Sequence, residues 1–288
     1  MKRIRIVLLF PAVLLMTVFS QAEPLFPQAP GIVSYTFRDE FKRDVPGTLD
    51  RIKALGITDI EFSNLFGKSA AELRSMLDAR GLHCSSFGVS FEDMMNKTGE
   101  VATNAKTLGA TFVRVAWLSN RQPFTPEIAR QTAADFNRIG RELREKYGLT
   151  FCYHNHGYEF APAGDGTLFD VLVAETRPED VSFELDILWA QFPGMTPAQL
   201  LEKHGSRFKL MHLKDLRKGV KGDFSGKTAV QNDVTLGTGQ IDLPAVLIAA
   251  RKAGVQHYYI EDESPDADRQ VPQSIAYLKS LTAPGPAR

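Results

Sequence analysis

Along the chain, helical stretches with apolar residues at three- and four-residue spacing alternate with short β-branched and aromatic runs. In Ala70-Ala-Glu-Leu-Arg-Ser-Met-Leu77, residues Ala70, Leu73 and Leu77 form one stripe, the pattern of a helix lying on a sheet. The junctions repeat: a helical pattern, a Gly, two or three residues, then a strand. They read Leu55-Gly-Ile-Thr-Asp-Ile-Glu-Phe62, Arg80-Gly-Leu-His-Cys-Ser-Ser-Phe87, Leu108-Gly-Ala-Thr-Phe-Val-Arg-Val115, Tyr147-Gly-Leu-Thr-Phe-Cys-Tyr153 and Ala253-Gly-Val-Gln-His-Tyr-Tyr-Ile260. Each Gly is expected just past a helix end in the left-handed conformation, where the lack of a Cβ removes the steric cost. Helices are predicted over 45–55, 70–80, 92–108, 126–146, 168–175, 197–204, 243–253 and 266–281.

With the opening run Ile32-Val-Ser-Tyr35 there are eight strands and intervening helices, and no Ser/Gly linker divides them. Strict βα alternation implies parallel strands, because each helix returns the chain to the same edge. Eight such units close into an α/β fold, a (β/α)8 TIM barrel, expected as a single domain over 23–288. An open doubly wound sheet is the alternative, but no Gly-rich phosphate turn follows the first strand. The Gly-rich, charged interval 216–240 departs from the pattern and is expected as a loop after strand seven, a candidate lid.

Composition adds a compartment and excludes some partners. The 288 residues are 43% hydrophobic and 24% charged, enough for a sizeable core. The 34 basic and 34 acidic residues lie without long runs, so nothing steers the protein toward nucleic acid, and a neutral or weakly charged small molecule suits it better. Lys2-Arg-Ile-Arg5, the apolar run 6–19 and Ser20-Gln-Ala22 read as a signal peptide over 1–22, implying export, a periplasmic location and no stable membrane anchoring after cleavage. The apolar run is shorter than the roughly 20 residues that span a bilayer. Cys84 and Cys152 fall in different strands and are expected as buried free thiols.

The chemistry gathers at strand ends. Phe151-Cys-Tyr-His-Asn-His-Gly-Tyr-Glu-Phe160 closes a strand with His154, Asn155, His156 and Glu159. Val181-Ser-Phe-Glu-Leu-Asp186, Phe208-Lys-Leu-Met-His212 and Tyr258-Tyr-Ile-Glu261 likewise end in an acid or a His. In a parallel barrel these ends share one face, and mixed imidazole and carboxylate donors favour a divalent ion such as Mn, Mg, Zn or Co. Glu184 points to the same side as Asp186 and is expected to pair with a Lys or Arg. Lys214 and Asp215 are candidates to bind substrate hydroxyls, or a solvated pair. Trp117, Trp189 and Tyr35 are candidate stacking surfaces for a sugar ring, or core. Asp262 and Glu263 are expected at the rim, and His83, His204 and His257 away from the active face.

Tyr153-His-Asn-His-Gly-Tyr-Glu-Phe160, Glu184-Leu-Asp186, Met211-His-Leu-Lys-Asp215, Leu236-Gly-Thr-Gly-Gln-Ile-Asp242 and Tyr259-Ile-Glu261 resemble the xylose isomerase-like barrel superfamily. More narrowly, the chain resembles the sugar phosphate isomerase/epimerase proteins, related to ketose 3-epimerases, inosose dehydratase and endonuclease IV. The resemblance implies one divalent ion held by an acid on strand five and by Asp186, His212 and Glu261. His154 stands where the strand-five Glu would be, so Glu159 is assigned as fourth ligand with His154 as competitor. The implied activity is a sugar isomerase or epimerase working through an enediolate, with His154, His156 and Glu261 as acid/base candidates. Export makes a free or oxidised sugar more plausible than a phosphorylated one. A 3-keto-glycoside lyase or hydratase, and a non-catalytic sugar-binding barrel, are the alternatives. A homo-oligomer is compatible with all three.

Overall fold

In the computed structural model of the chain, which describes residues 24–26 and 28–282, eight parallel strands close into a barrel. They are β1 (Gly31–Val33), β2 (Asp59–Phe62), β3 (His83–Val89), β4 (Phe112–Val115), β5 (Thr150–His154), β6 (Val181–Asp186), β7 (Phe208–Leu213) and β8 (His257–Ile260). Each pairs with its neighbours in sequence, and β1 closes the ring against β8. The expected (β/α)8 barrel is therefore the observed one. The export segment expected over 1–22 lies outside the described residues. Among the described residues no helix is long and apolar enough to cross a membrane.

The junction glycines behave as their positions demand. Gly109 ends the helix Thr98–Leu108 at φ 87°, and Gly254 ends Leu243–Ala253 at φ 79°, values that a side chain would resist. Gly56, Gly81 and Gly148 have φ between 66° and 78°. Helix starts carry their own chemistry: Ser69 and Glu72 form a reciprocal capping box at Ala70–Asp78, as do Thr167 and Asp170 at Leu168–Glu175.

Three local predictions are corrected. The helix expected over 92–108 is two, Phe91–Asn96 and Thr98–Leu108, broken where Lys97 takes φ −136° and ψ 33°. The first strand stops at Val33, and Tyr35 lies in a 3-10 turn, Ser34–Phe37. A short helix, Ile187–Gln191, follows β6 directly because the Asp186 side chain accepts from the Trp189 amide and caps it. Cys84 and Cys152 are free and buried, and burial raises both thiols above their usual range.

Alternation along the strands sorts the barrel interior into layers. Val33, Phe112, Cys152, Leu210 and Tyr259 form an apolar plug near the N-terminal end, separate from the main core between strands and helices. Two residues further along their strands stand Arg114, His154, His212 and Glu261. The interior thus changes from apolar to charged within one pleat repeat, toward the C-terminal mouth.

Candidate active site

At that mouth the structure brings together His154 from β5, Asp186 from β6, His212 from β7 and Glu261 after β8. Asp186 Oδ2 lies 3.8 Å from His154 Nε2 and 3.7 Å from His212 Nδ1, and His212 Nδ1 lies 3.2 Å from Glu261 Oε2. Bonds of about 2.1 Å to a four-coordinate ion would space neighbouring donors by about 3.4 Å. Among the described residues Asp186 Oδ2 is buried without a hydrogen-bond partner, an open acceptor between the two imidazoles that fits a ligated cation. Glu184, His154 and His212 form a second, adjoining group of possible donors.

The remaining nitrogen of each imidazole is held from behind. His154 Nδ1 meets Glu184 Oε2 at 3.2 Å, while His212 Nε2 meets Glu61 Oε1 at 2.9 Å and Glu184 Oε2 at 3.2 Å. Carboxylates behind imidazoles are the usual support of metal-binding His, fixing which nitrogen faces the ion. Glu61 and Glu184 are tied in turn by Arg114, whose Nη2 is 2.7 Å from Glu61 Oε1 and whose Nε is 3.4 Å from Glu184 Oε2. Glu184 thus has its expected basic partner.

The electrostatics show an excess of buried negative charge. By formal charge Glu61, Glu184, Asp186 and Glu261 face two fixed cations, Arg114 and Lys214, and the remaining charge is met by a raised Glu184 carboxyl and a protonated His212. Burial and the charge of Glu61 push the Glu184 carboxyl up. Burial would lower His212, but Glu184 and Glu261 outweigh it and hold the ring protonated. A proton on His212 does there what a divalent cation would do better. The donor set, its spacing and its charge all fit such an ion.

A cavity of about 570 Å³ opens above the cluster, lined by His154, His156, His212 and Glu261, with Tyr35, Trp117 and Trp189 on its walls. The three aromatics expected at the strand ends therefore do reach it. Gly226, Lys227 and Thr228 close it from the loop after β7, so the expected lid interval covers the site. Gly226 approaches the β5 loop closely: a Cβ there would sit 3.2 Å from the His156 Cβ. His156 meets Trp117 edge to face and lies parallel to Tyr158, and its Nδ1 is buried without a hydrogen-bond partner among the described residues. Burial lowers its pKa to about 4, so the imidazole is neutral at pH 7.

Two expected site residues stand elsewhere, and a third has a different setting. Glu159, assigned as fourth ligand, is turned away: β5 ends at His154, and the 3-10 turn Tyr158–Phe160 aims the carboxylate back at Tyr153 Oη (2.6 Å) and the His156 amide (3.0 Å). Burial pushes it up to about 7 against those hydrogen bonds. Asp215 accepts from the amides of Gly237, Gly239 and Ile241, which leaves its carboxylate no part in the cavity. Lys214 is buried behind the wall, 3.0 Å from Glu261 Oε2 and 2.6 Å from Glu263 Oε1, with Trp189 beneath its ammonium. Of the rim pair, Glu263 lines the cavity, whereas Asp262 is buried and accepts from the Ser264 amide. His83 and His257 lie at the opposite end beside Asp59, and His204 pairs with Asp170, all away from the mouth as expected.

Glu61 and Arg114 went unassigned from sequence. Their signal was a charge enclosed by apolar neighbours in short strands, Ile60-Glu-Phe62 and Val113-Arg-Val115, of a barrel buried on both faces.

A closed parallel barrel with a cation-spaced cluster of imidazoles and carboxylates at its C-terminal mouth defines the class. Within it, the chain belongs to the xylose isomerase-like TIM barrel family, whose model matches residues 49–281. Among curated relatives, it is 24% identical over 207 residues to an inosose dehydratase of Geobacillus kaustophilus, covering 62% of this chain and 67% of that protein. Across four inosose dehydratases the matched stretch spans between 40% and 67% of the relative. In fold it is similar to a sugar phosphate isomerase/epimerase from Parabacteroides distasonis, with TM-score 0.70, 24% identity and coverage of 94% of this chain and 98% of that one. It is similar too to the IOLI protein with a bound zinc atom, with TM-score 0.66, 15% identity and coverage of 88% and 95%.

Proposed function

We propose that the chain is a divalent-metal-dependent lyase that removes water from a polyhydroxylated ketone through an enediolate. The ion would be held by His154, Asp186, His212 and Glu261. When bound, it supplies Lewis acidity that favours negative charge on the substrate's oxygens. The zinc in the IOLI protein and the dehydratase names among the relatives support this reading.

The observation that carries it is the imbalance of acid/base groups around the cavity. Epimerisation needs a group on each face of the α carbon, and in the related epimerases that the chain resembles the strand-five Glu is one of the two. Here that position is His154, with one nitrogen against Glu184 and the other beside Asp186, and Glu159 is turned away. His156 is the neutral, unpartnered base beside the cluster. One base suffices for elimination on a single face. It takes the α-proton, and the C–H electron pair becomes the Cα–carbonyl π bond of the enediolate as the carbonyl pair moves onto oxygen. When the carbonyl re-forms, the π pair shifts to make the Cα–Cβ double bond, the β C–O bond breaks, and the imidazolium returns its proton to the departing hydroxyl as water. Trp117 and Trp189 wall the ring, and Lys214 holds Glu261 and Glu263 in place. The export reading of residues 1–22 goes with an unphosphorylated substrate.

The test is a panel of inososes, free keto sugars and keto-glycosides in heavy water with Mn present, analysed by mass spectrometry. A product lighter by one water supports the lyase, and His156→Gln is expected to lower kcat by about 10²- to 10⁴-fold while the metal stays bound. Deuterium at the α carbon without loss of water would instead establish the isomerase or epimerase reaction. Binding without either outcome would leave a sugar-binding barrel.

A further inference from the structure

We infer that the substrate is a two-unit carbohydrate, a glycoside, whose reacting unit sits above the cation cluster while its second unit occupies a side pocket between β2, β3 and the helix Thr98–Leu108. This rests on the proposed reading of the central site for which unit reacts, but not for the side pocket itself.

A second cavity of about 470 Å³ lies beside the first, and the two share Ser63 in their walls. Each is large enough to count as a small-molecule site in its own right. The side pocket has the mixed lining that a sugar ring requires. Leu65, Phe87 and Val89 offer apolar surface to its C–H face, and Asn64, Asp93 and Asn104 offer polar atoms to its hydroxyls. Among the described residues the Asn104 carboxamide has no hydrogen-bond partner. Asn64 uses only its oxygen, to accept from the Phe66 amide at 2.7 Å, which leaves its two N–H donors free.

The turn that follows the lining residues Asn64 and Leu65, though not itself part of the lining, is fixed in place. Phe66 has φ 49°, the one non-glycine residue with positive φ among those described. Such a conformation costs of order 1–3 kcal/mol and persists where surroundings over-determine it. Here they are the Asn64 hydrogen bond and the Phe66 ring stacked on Phe41, with centroids 4.7 Å apart. The charge balance chooses the ligand class. Lys97 is paired with Asp93 at 3.1 Å, and Glu100 adds a second carboxylate, so the lining repels a phosphate and accepts a neutral ring.

The experiment is calorimetric binding to the metal-loaded full chain, comparing cellobiose with glucose and lactulose with fructose. Each disaccharide is expected to bind about tenfold tighter than its monosaccharide, about 1.4 kcal/mol. Asn104→Trp, which fills the side pocket from the helix and leaves the central cavity untouched, is expected to remove that advantage with monosaccharide affinity unchanged. Asn104→Ala, which leaves the pocket open, is expected to cost the disaccharide about two- to tenfold, the loss of one neutral hydrogen bond, and serves if the Trp variant melts early. Equal affinities in the wild type, no disaccharide binding, or a preference that survives both substitutions overturns the inference. Because the readout is binding, failure of every keto substrate to lose water would sink the elimination reading and leave this one standing.

Discussion

The two ends of the barrel each carry a polar cluster built around an Asp and a His, half-buried at the N-terminal end and fully buried at the mouth, and they differ in completeness. At the N-terminal end Asp59 accepts from Ser85 Oγ (2.6 Å) and contacts His257 Nδ1 (2.9 Å), while Ser85 Oγ meets Tyr259 Oη (2.6 Å). No buried side-chain polar atom of this group lacks a hydrogen bond among the described residues. At the C-terminal end Asp186 Oδ2, Glu184 Oε1, Arg114 Nε and His156 Nδ1 all lack one. A buried polar atom without a partner costs about 1–3 kcal/mol, so four in one place mark a site completed by something else. The closed cluster is explained by stability, and the open one by a ligand.

That contrast can be broken most forcefully at the open end. Asp186→Asn or His212→Ala is expected to weaken metal binding by more than about 100-fold, beyond the loss typical of removing a supporting residue, and to abolish activity. Elemental analysis of the purified proteins checks the metal, and Glu159→Gln, measured alongside, is expected to keep it. If Glu159→Gln loses the ion while His154→Ala retains it, the four-donor set above is wrong.

A smaller effect concerns pH in the metal-free protein. His156 is favoured as the neutral form when folded, with its pKa lowered from 6.5 to about 4. Its contribution is complete above pH 6.5. It is lost as pH falls from there through 4, because the unfolded chain takes up a proton that the folded one refuses. The difference amounts to about 3 kcal/mol at 1.36 kcal/mol per unit. Urea unfolding of the wild type is therefore expected to show a steeper loss of stability between pH 6.5 and 4 than that of His156→Gln. Parallel curves would show that the ring is not held neutral.

The smallest effect belongs to the closed end. Asp59→Ala should lower unfolding stability by about 1–3 kcal/mol, since Ser85 and His257 lose an acceptor, with metal content and activity per folded molecule unchanged. Loss of metal there would erase the distinction between the two ends.

How far the site was legible follows from what periodicity and spacing can encode. The strands, the junction glycines and the gathering of Asp186, His212 and Glu261 could be read because each depends on local pattern plus parallel closure of the barrel. Glu159 could not, since proximity within a motif says nothing of where a turn aims a side chain. Only the 3-10 turn at Tyr158–Phe160 and the Tyr153 hydroxyl decide that. Asp215 was misread for a related reason: its partners are amides more than 20 residues further along the chain. Glu61 and Arg114 were overlooked because their roles appear only when β2 and β4 are seen across the barrel from β6 and β7.

The Asp215 clasp bears on how such a protein could change its diet. Asp215 grips Gly237, Gly239 and Ile241, and a bridge joins Leu216 to Asp233, so the excursion between them is stapled at its base. Residues such as Gly226 to Thr228, which face the cavity, ride on a segment that meets the barrel at this base and at close contacts of Gly222 with Phe192 and of Gly226 with the turn at His156. Doubling such a loop costs only about 0.6 kcal/mol in closure entropy. The chain from 217 to 232 is in effect an interchangeable cassette, and new substrate preferences could be tried there by insertion or deletion while the cation cluster stays where it is.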